Sequence, residues 1–466
     1  MLSLVPLSFH VSVSAETIVA TESLSQAIAT AKAGDTILVS GPRVFREHVV
    51  LDKPLHLLGT NSPVIDAGGA GTPLTIQASG ASVRGFTVRN GGRDLGAFDS
   101  GIMITAGGVA VADCRVEGGG FGIYIRGVND CRVENNTVLG DTNVPPAQRG
   151  NGLHLWKTRH NVIAGNSIAG TRDGAYFSYA DDNLIASNRI EETRFGIHYM
   201  YSHRNRLVGN TLDRNAVGAA LMFARDCVVE GNRAFANRRH GILLMQVEHS
   251  RLARNTVRGQ NRGLFVQLAV QNRFEENVIA HNDIGLYLSN GSEENVFTGN
   301  AFLRNTDQVW QPPNEVAKGR QAANQFSDRG RGNFWSDYTG TDADQDGVGD
   351  TPYHETDLFG YLVDRHPEAR VFALSPALAL LRKGEELLPL LTTPGVTDPA
   401  PLMTPPSLKS ETRISKSEGR PKFEVRNATA ARTAGQGFEF RSSDLFRISN
   451  FVLRILDGEP LATFFG

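Results

Sequence analysis

The chain alternates apolar and polar residues in short runs, and one such run recurs about every 22 residues through its middle. Gly152 opens GLHLWKTRHNVIAGN, Gly174 opens GAYFSYADDNLIASN, Gly196 opens GIHYMYSHRNRLVGN and Gly218 opens GAALMFARDCVVEGN. Further units open at Gly122, Gly241, Gly263 and Gly285, with steps of 30, 22, 22, 22, 23, 22 and 22 from first to last. The long step holds DTNVPPAQRGN, whose two prolines require a loop. In each unit the first and third positions after Gly are apolar, as in Leu153 and Leu155 or Ile242 and Leu244. Period-two alternation predicts a strand with one buried face. A polar turn and a second short strand follow. Then comes an in-register asparagine: Asn166, Asn188, Asn210, Asn232, Asn255 and Asn277. Asn tolerates left-handed backbone and bonds its own kind when stacked, so the column predicts a turn ladder.

A helical solenoid fails because the units are rich in Gly and Asn and lack a 3.6-residue period. A leucine-rich repeat fits the length but not the consensus. The expected fold is all-β, a right-handed parallel β-helix over 16–332. Weaker upstream units extend it to about twelve rungs, or roughly 55 Å at ~4.8 Å per rung. Solenoid ends need covers. Residues 22–41 predict an N-terminal cap of one amphipathic helix and a strand. Residues 333–391 form the expected C-terminal cap, with a helix starting at Ser375-Pro376. Residues 392–466 are expected to form a disordered tail, the Pro-, Ser- and charge-rich stretch 404–436 above all.

Composition adds little to this. Forty-nine Gly in 466 residues suit tight turns, and a net charge of -2 gives no case for nucleic acid. No run approaches 18 apolar residues, so no membrane-spanning helix is expected. The first 15 residues are apolar and end Val13-Ser14-Ala15, small-residue cleavage chemistry without the basic start of a full signal peptide. Export is expected. Cys114, Cys131 and Cys227 make no disulfide framework and no metal pair, and belong in the core or the turn stacks.

Candidate chemistry sits where alternation points outward. Position two runs Tyr124, His154, Tyr176, His198, Ala220, Leu243, Phe265, Tyr287. Position four runs Arg126, Trp156, Ser178, Met200, Met222, Met245, Gln267, Ser289. A solvated face would be polar; this one carries rings and half of the chain's six methionines on successive rungs. Thioethers and imidazoles suit soft Cu(I), giving a candidate set of His198, Met200, His203, Met222 and Met245. The competing reading is an interface stripe of His154, Trp156, Tyr176, Phe265 and Tyr287, covered by the C-terminal segment or a partner. A second candidate is an acidic loop, TDADQDGVGD, where Asp342, Asp344, Asp346 and Asp350 surround glycines as in a calcium loop. Trp335 and Tyr338 would anchor it. The pattern lacks the twelfth-position Glu of an EF-hand, so a solvated acidic turn stays open.

A polysaccharide-binding or polysaccharide-cleaving β-helix is the alternative class. Asp181-Asp182, His240-Gly241 and Asn305-Thr306-Asp307 echo fragments of pectinase-like motifs. Glycoside hydrolysis needs two carboxyls ~5–9.5 Å apart, and these lie several rungs from one another. Positions two and four hold no carboxylate, so no enzyme is expected.

GIHYMYSHRNRLVGN, NFWSDYTGTDADQDGVGDTPY, and YLVDRHPEARVFALSPALALLRKGEELLPLL with PGVTDPAPLM resemble the NosD family in that order, over roughly 20–406. These are periplasmic β-helix maturation proteins of nitrous-oxide reductase. The resemblance implies periplasmic export and a copper cargo. It implies as partners an ABC transporter permease and ATPase, the reductase apoprotein and a periplasmic copper chaperone. The family's Met/His motif falls on His198, Met200 and His203; Met222 and Met245 come from the column.

Overall fold

The computed structural model describes residues 15–289, 291–311, 324–355, 375 and 396–406. The described strands wind into three parallel sheets of 12, 13 and 13 strands, a solenoid of about 13 turns. The expected parallel β-helix is therefore the fold. The front sheet carries the unit strands opened by Gly, such as Phe195–Met200, Val217–Arg225 and His240–Glu248. The second sheet holds the short strands read as the second of each unit, such as Arg206–Val208. A third strand per turn, such as Thr211–Asp213, was not expected. It buries a single side chain, Leu212, and three residues are too few to show a period.

The unit glycines are required by close approach. A Cβ on Gly196 would lie 2.5 Å from the Gly218 carbonyl oxygen, and one on Gly218 2.5 Å from that of Gly241. The Asn column is a ladder, but its backbone is not left-handed as expected. The positive φ falls one residue earlier, at Ser187 (55°), Gly209 (63°) and Gly231 (64°). Each Asn instead spends its side chain on the next rung. Asn188 donates from Nδ2 to Asn210 Oδ1 at 2.9 Å, and Asn210 to Asn232 Oδ1 at 2.9 Å. The same bond runs unbroken from Asn136 to Asn333. Buried amides are thereby paired along the rod. The cysteines are buried in such turns, their backbone N–H groups bonded to Asn136, Asn161 and Ser250.

Leu24–Thr30 is the expected N-terminal cap helix, burying Leu24, Ala27 and Ile28. Glu47 accepts from the Leu24 N–H at 2.7 Å, and Lys53 Nζ donates to the carbonyls of Ile28, Ala29 and Ala31. At the other end Trp335 stacks between Phe302 and Tyr353, so it anchors the acidic loop as expected. The tail boundary at 392 differs from what the chain does. Residues 396–406 pair with the rod end, and buried Asp398 terminates the ladder by accepting from Asn333 N (2.7 Å) and Trp335 Nε1 (2.9 Å). The leader 1–14, the helix after Ser375 and the stretch 407–466 lie outside the described residues.

Candidate functional site

The front sheet has its inward positions in the core, as the alternation requires: Ile197, Tyr199, Ala219 and Leu221 are all buried. Its outward positions were expected to be exposed, and around the methionines they are not. His198 is 1% exposed, Met200 1%, Met222 0% and Met245 6%. A polar face would stay solvated; this apolar one is covered. The helical segment offered as its cover lies outside the described residues.

The ladder register places Met200 beside Met222 and Met222 beside Met245 on consecutive rungs. Three of the five proposed copper residues thus form one column, and His198 projects from the same face two residues before Met200. His203 does not share that face. It lies in the following turn, its backbone N–H donating to Asp181 Oδ1 at 2.8 Å, and its Nδ1 is buried without a hydrogen bond. Met103 joins the outward face in register with Tyr124, unnoticed in the weak upstream unit GIMI.

The stripe residues form two runs of rings. His154 lies 4.4 Å from Tyr124 and 5.0 Å from Tyr176, which is 5.0 Å from His198. Phe265, Tyr287 and Trp310 continue further down at 4.9 and 4.3 Å. Ala220 and Leu243 separate the runs. Trp156 stands in the neighbouring column under Lys157. Burial pushes the His154 imidazole down to about 3, so it is neutral at neutral pH.

A third outward column, missed by sequence reasoning, is formed by the residues just before the unit glycines: Asp173, Phe195, Val217, His240 and Arg262. Asp173 is buried and accepts two hydrogen bonds from Arg194, each 2.7 Å. Its Oδ2 lies 2.9 Å from His198 Nδ1. Burial pushes the Asp173 carboxyl up, but Arg194 and His198 outweigh it and hold it well below the usual range. Burial lowers the His198 pKa against the opposing pull of Asp173. His198 Nε2 is buried with no hydrogen-bond partner, as are both ring nitrogens of His240.

The acidic loop gathers three of its four aspartates. Ligand atoms of Asp342, Asp344 and Asp346 lie within 4.8 Å of one another. Asp350 is not in that group; its Oδ2 accepts from Ala343 N and Thr341 Oγ1 and closes the loop instead. Of the carboxylates echoing pectinase motifs, Asp181 at the end of its front-sheet strand and Asp182 just after it are tied to Arg204, while Asp307 lies far down the rod on the front sheet.

The family model described as "Periplasmic copper-binding protein (NosD)" matches residues 140–340. A Pseudomonas aeruginosa protein named "Probable ABC transporter binding protein NosD" is 42% identical over 374 residues, covering 77% of this chain and 86% of that protein. Its namesake from Stutzerimonas stutzeri is 38% identical over 382 residues, covering 78% and 86%. Among solved structures, the Dettilon tailspike protein aligns at 16% identity over 65% of each chain, with a TM-score of 0.46. The Streptococcus pneumoniae adhesin PfbA aligns at 13% identity over 62% of this chain and 94% of its own, also with a TM-score of 0.46.

Proposed function

The chain belongs to the NosD family, and from that premise we propose that it is a non-catalytic copper carrier working in the periplasm. The cargo is Cu(I), held on the outer face of the front sheet by His198, Met200 and Met222. Met245 and His203 are the flanking donors through which it enters or leaves. The observation that carries this reading is the buried, unpartnered Nε2 of His198 on the face of the methionine column. A polar atom buried without a partner costs about 1–3 kcal/mol, and a soft cation is one partner that satisfies it. Neutral thioethers and imidazole suit Cu(I) and give a hard divalent ion nothing to bind. The family's description as copper-binding and periplasmic supports the same cargo and compartment.

The relatives' name supports an ABC transporter permease and ATPase as the working partner. The ring runs flanking the methionines supply its contact surface, with the nitrous-oxide reductase apoprotein as acceptor and a periplasmic copper chaperone as donor. Calcium at Asp342, Asp344 and Asp346 would brace the rod end rather than act in transfer.

The test is anaerobic Cu(I) titration of the full chain against a chromophoric chelator. Met200→Leu and Met222→Leu keep volume and remove sulfur. A fall in affinity of tenfold or more in each is expected. Unchanged stoichiometry and affinity in both would overturn the ligand set.

A further inference from the structure

We infer that Asp173 is a positioning residue: it holds the proton of His198 on Nδ1, so that the Nε2 lone pair stays free for a soft cation. The inference rests on the copper reading above and deepens it.

An ionised carboxylate only accepts hydrogen bonds. At 2.9 Å, Asp173 Oδ2 therefore requires hydrogen on His198 Nδ1. The neutral ring then carries no hydrogen on Nε2. Arg194 keeps the carboxylate ionised and fixed through its two 2.7 Å bonds. The tilted ring of Phe195, at 4.5 Å, and the edge-on ring of Tyr176, at 5.0 Å, pack against the imidazole. Histidines that bind metals commonly donate their other N–H to a carboxylate, which fixes tautomer and orientation and raises basicity.

The column around Asp173 makes the pairing particular to His198. Phe195, Val217 and His240 occupy the same position on the next three rungs and offer no carboxylate. His240 is as buried as His198, yet neither of its nitrogens has a partner, so nothing fixes its tautomer. The arrangement also differs from a Ser–His–Asp hydrolase. Ser178 lies on the preceding rung of the same face, but its Oγ and His198 Nε2 make no hydrogen bond to each other, and that bond is what activates such a serine.

The experiment uses the full chain with 15N-labelled histidine, His198→Gln providing the assignment. Long-range 1H–15N spectra of the metal-free protein should show His198 protonated on Nδ1 with a bare Nε2. In Asp173→Asn the amide can donate to Nδ1 and drive the proton to Nε2, the wrong tautomer for binding. Cu(I) affinity should fall about 10–100-fold. Asp173→Glu, which keeps a carboxylate, should retain the tautomer and most of the affinity; it also decides the question if the Asn variant does not fold. Nε2-protonated His198 in the wild type, or undiminished affinity in a folded Asp173→Asn protein, would overturn the inference. Wild-type protein that binds no Cu(I) would instead sink the copper reading, while the tautomer spectrum still judges Asp173.

Discussion

Removing one rung of the asparagine ladder should cost more than any surface change of equal size. In Asn210→Ala, Asn188 loses the acceptor for both its backbone N–H (3.0 Å) and its Nδ2–H (2.9 Å). The Ile185 carbonyl and Asn232 Oδ1 each lose a donor at 2.9 Å. All of these side chains are buried, so water does not replace the bonds without opening the turn. Two stranded donors at about 1–3 kcal/mol each, with smaller losses at the acceptors, give about 3–5 kcal/mol. Stability in a solenoid is carried between neighbouring turns, so the loss should centre on the rungs of Asn188, Asn210 and Asn232. Urea unfolding followed by far-UV circular dichroism measures the total, and hydrogen exchange locates it. Asn261→Ala is the control: its exposed side chain bonds Asp283 at 2.9 Å, and its loss should stay within about 0.5 kcal/mol. A loss below about 1 kcal/mol for Asn210→Ala would refute the view that the ladder contributes net stability. Cu(I) affinity should not change, because Asn210 joins the second and third sheets and the methionines stand on the first.

Gly218→Ala would place a Cβ 2.5 Å from the Gly241 carbonyl oxygen and 3.0 Å from Asn237 Nδ2. It should destabilise the rod by about 1–3 kcal/mol and weaken Cu(I) binding by shifting the rung of Met222; a calorimetric melt unchanged from wild type would contradict this. His240 carries the opposite kind of strain. Burial, with Arg262 and Arg239 beside it, pushes its imidazole down to about 3, below the ordinary 6.5. A depressed histidine adds stability above the unfolded pKa and loses it as pH falls from 6.5 toward 3, about 2 kcal/mol by pH 5. His240→Leu should remove that acid slope and stabilise the protein at pH 5 relative to wild type; parallel stability–pH curves would rule the assignment out.

The solenoid was legible because its two longest signals repeat in step. The unit glycine admits the next turn's backbone, and the Asn amide reaches the next rung, so both must recur at the rung length. The third strand was hidden because in most turns it buries one residue, and an isolated Leu212 or Ala234 looks like a loop residue. The left-handed turn position was assigned one residue late, to Asn, because the column before it mixes Gly165, Gly209, Gly231 and Gly299 with Ser187, Arg254 and Glu276, which carry no chemical sign of adopting it. The end of the rod was also obscured. Val-Thr-Asp-Pro within a proline-rich stretch resembles a linker, yet Asp398 terminates the ladder from 65 residues away in sequence.

The outward face was legible only in its even positions, and that bears on the choice between carrier and enzyme. Positions two and four hold no carboxylate, but the column just before the unit glycines does. The strand Asp173–Asp181 starts before its glycine, and Arg-Asp-Gly in sequence looks like a turn. Asp173 therefore faces outward unseen, bonded to a histidine. A glycosidic acid must hold its proton near neutral pH, and Arg194 keeps Asp173 ionised. Ser178 Oγ and His198 Nε2 make no hydrogen bond to each other, the bond by which a base activates a serine. What remains is an ionised carboxylate orienting a neutral imidazole whose far nitrogen has no protein partner. Beside three thioethers, that arrangement suits the Cu(I) cargo we propose.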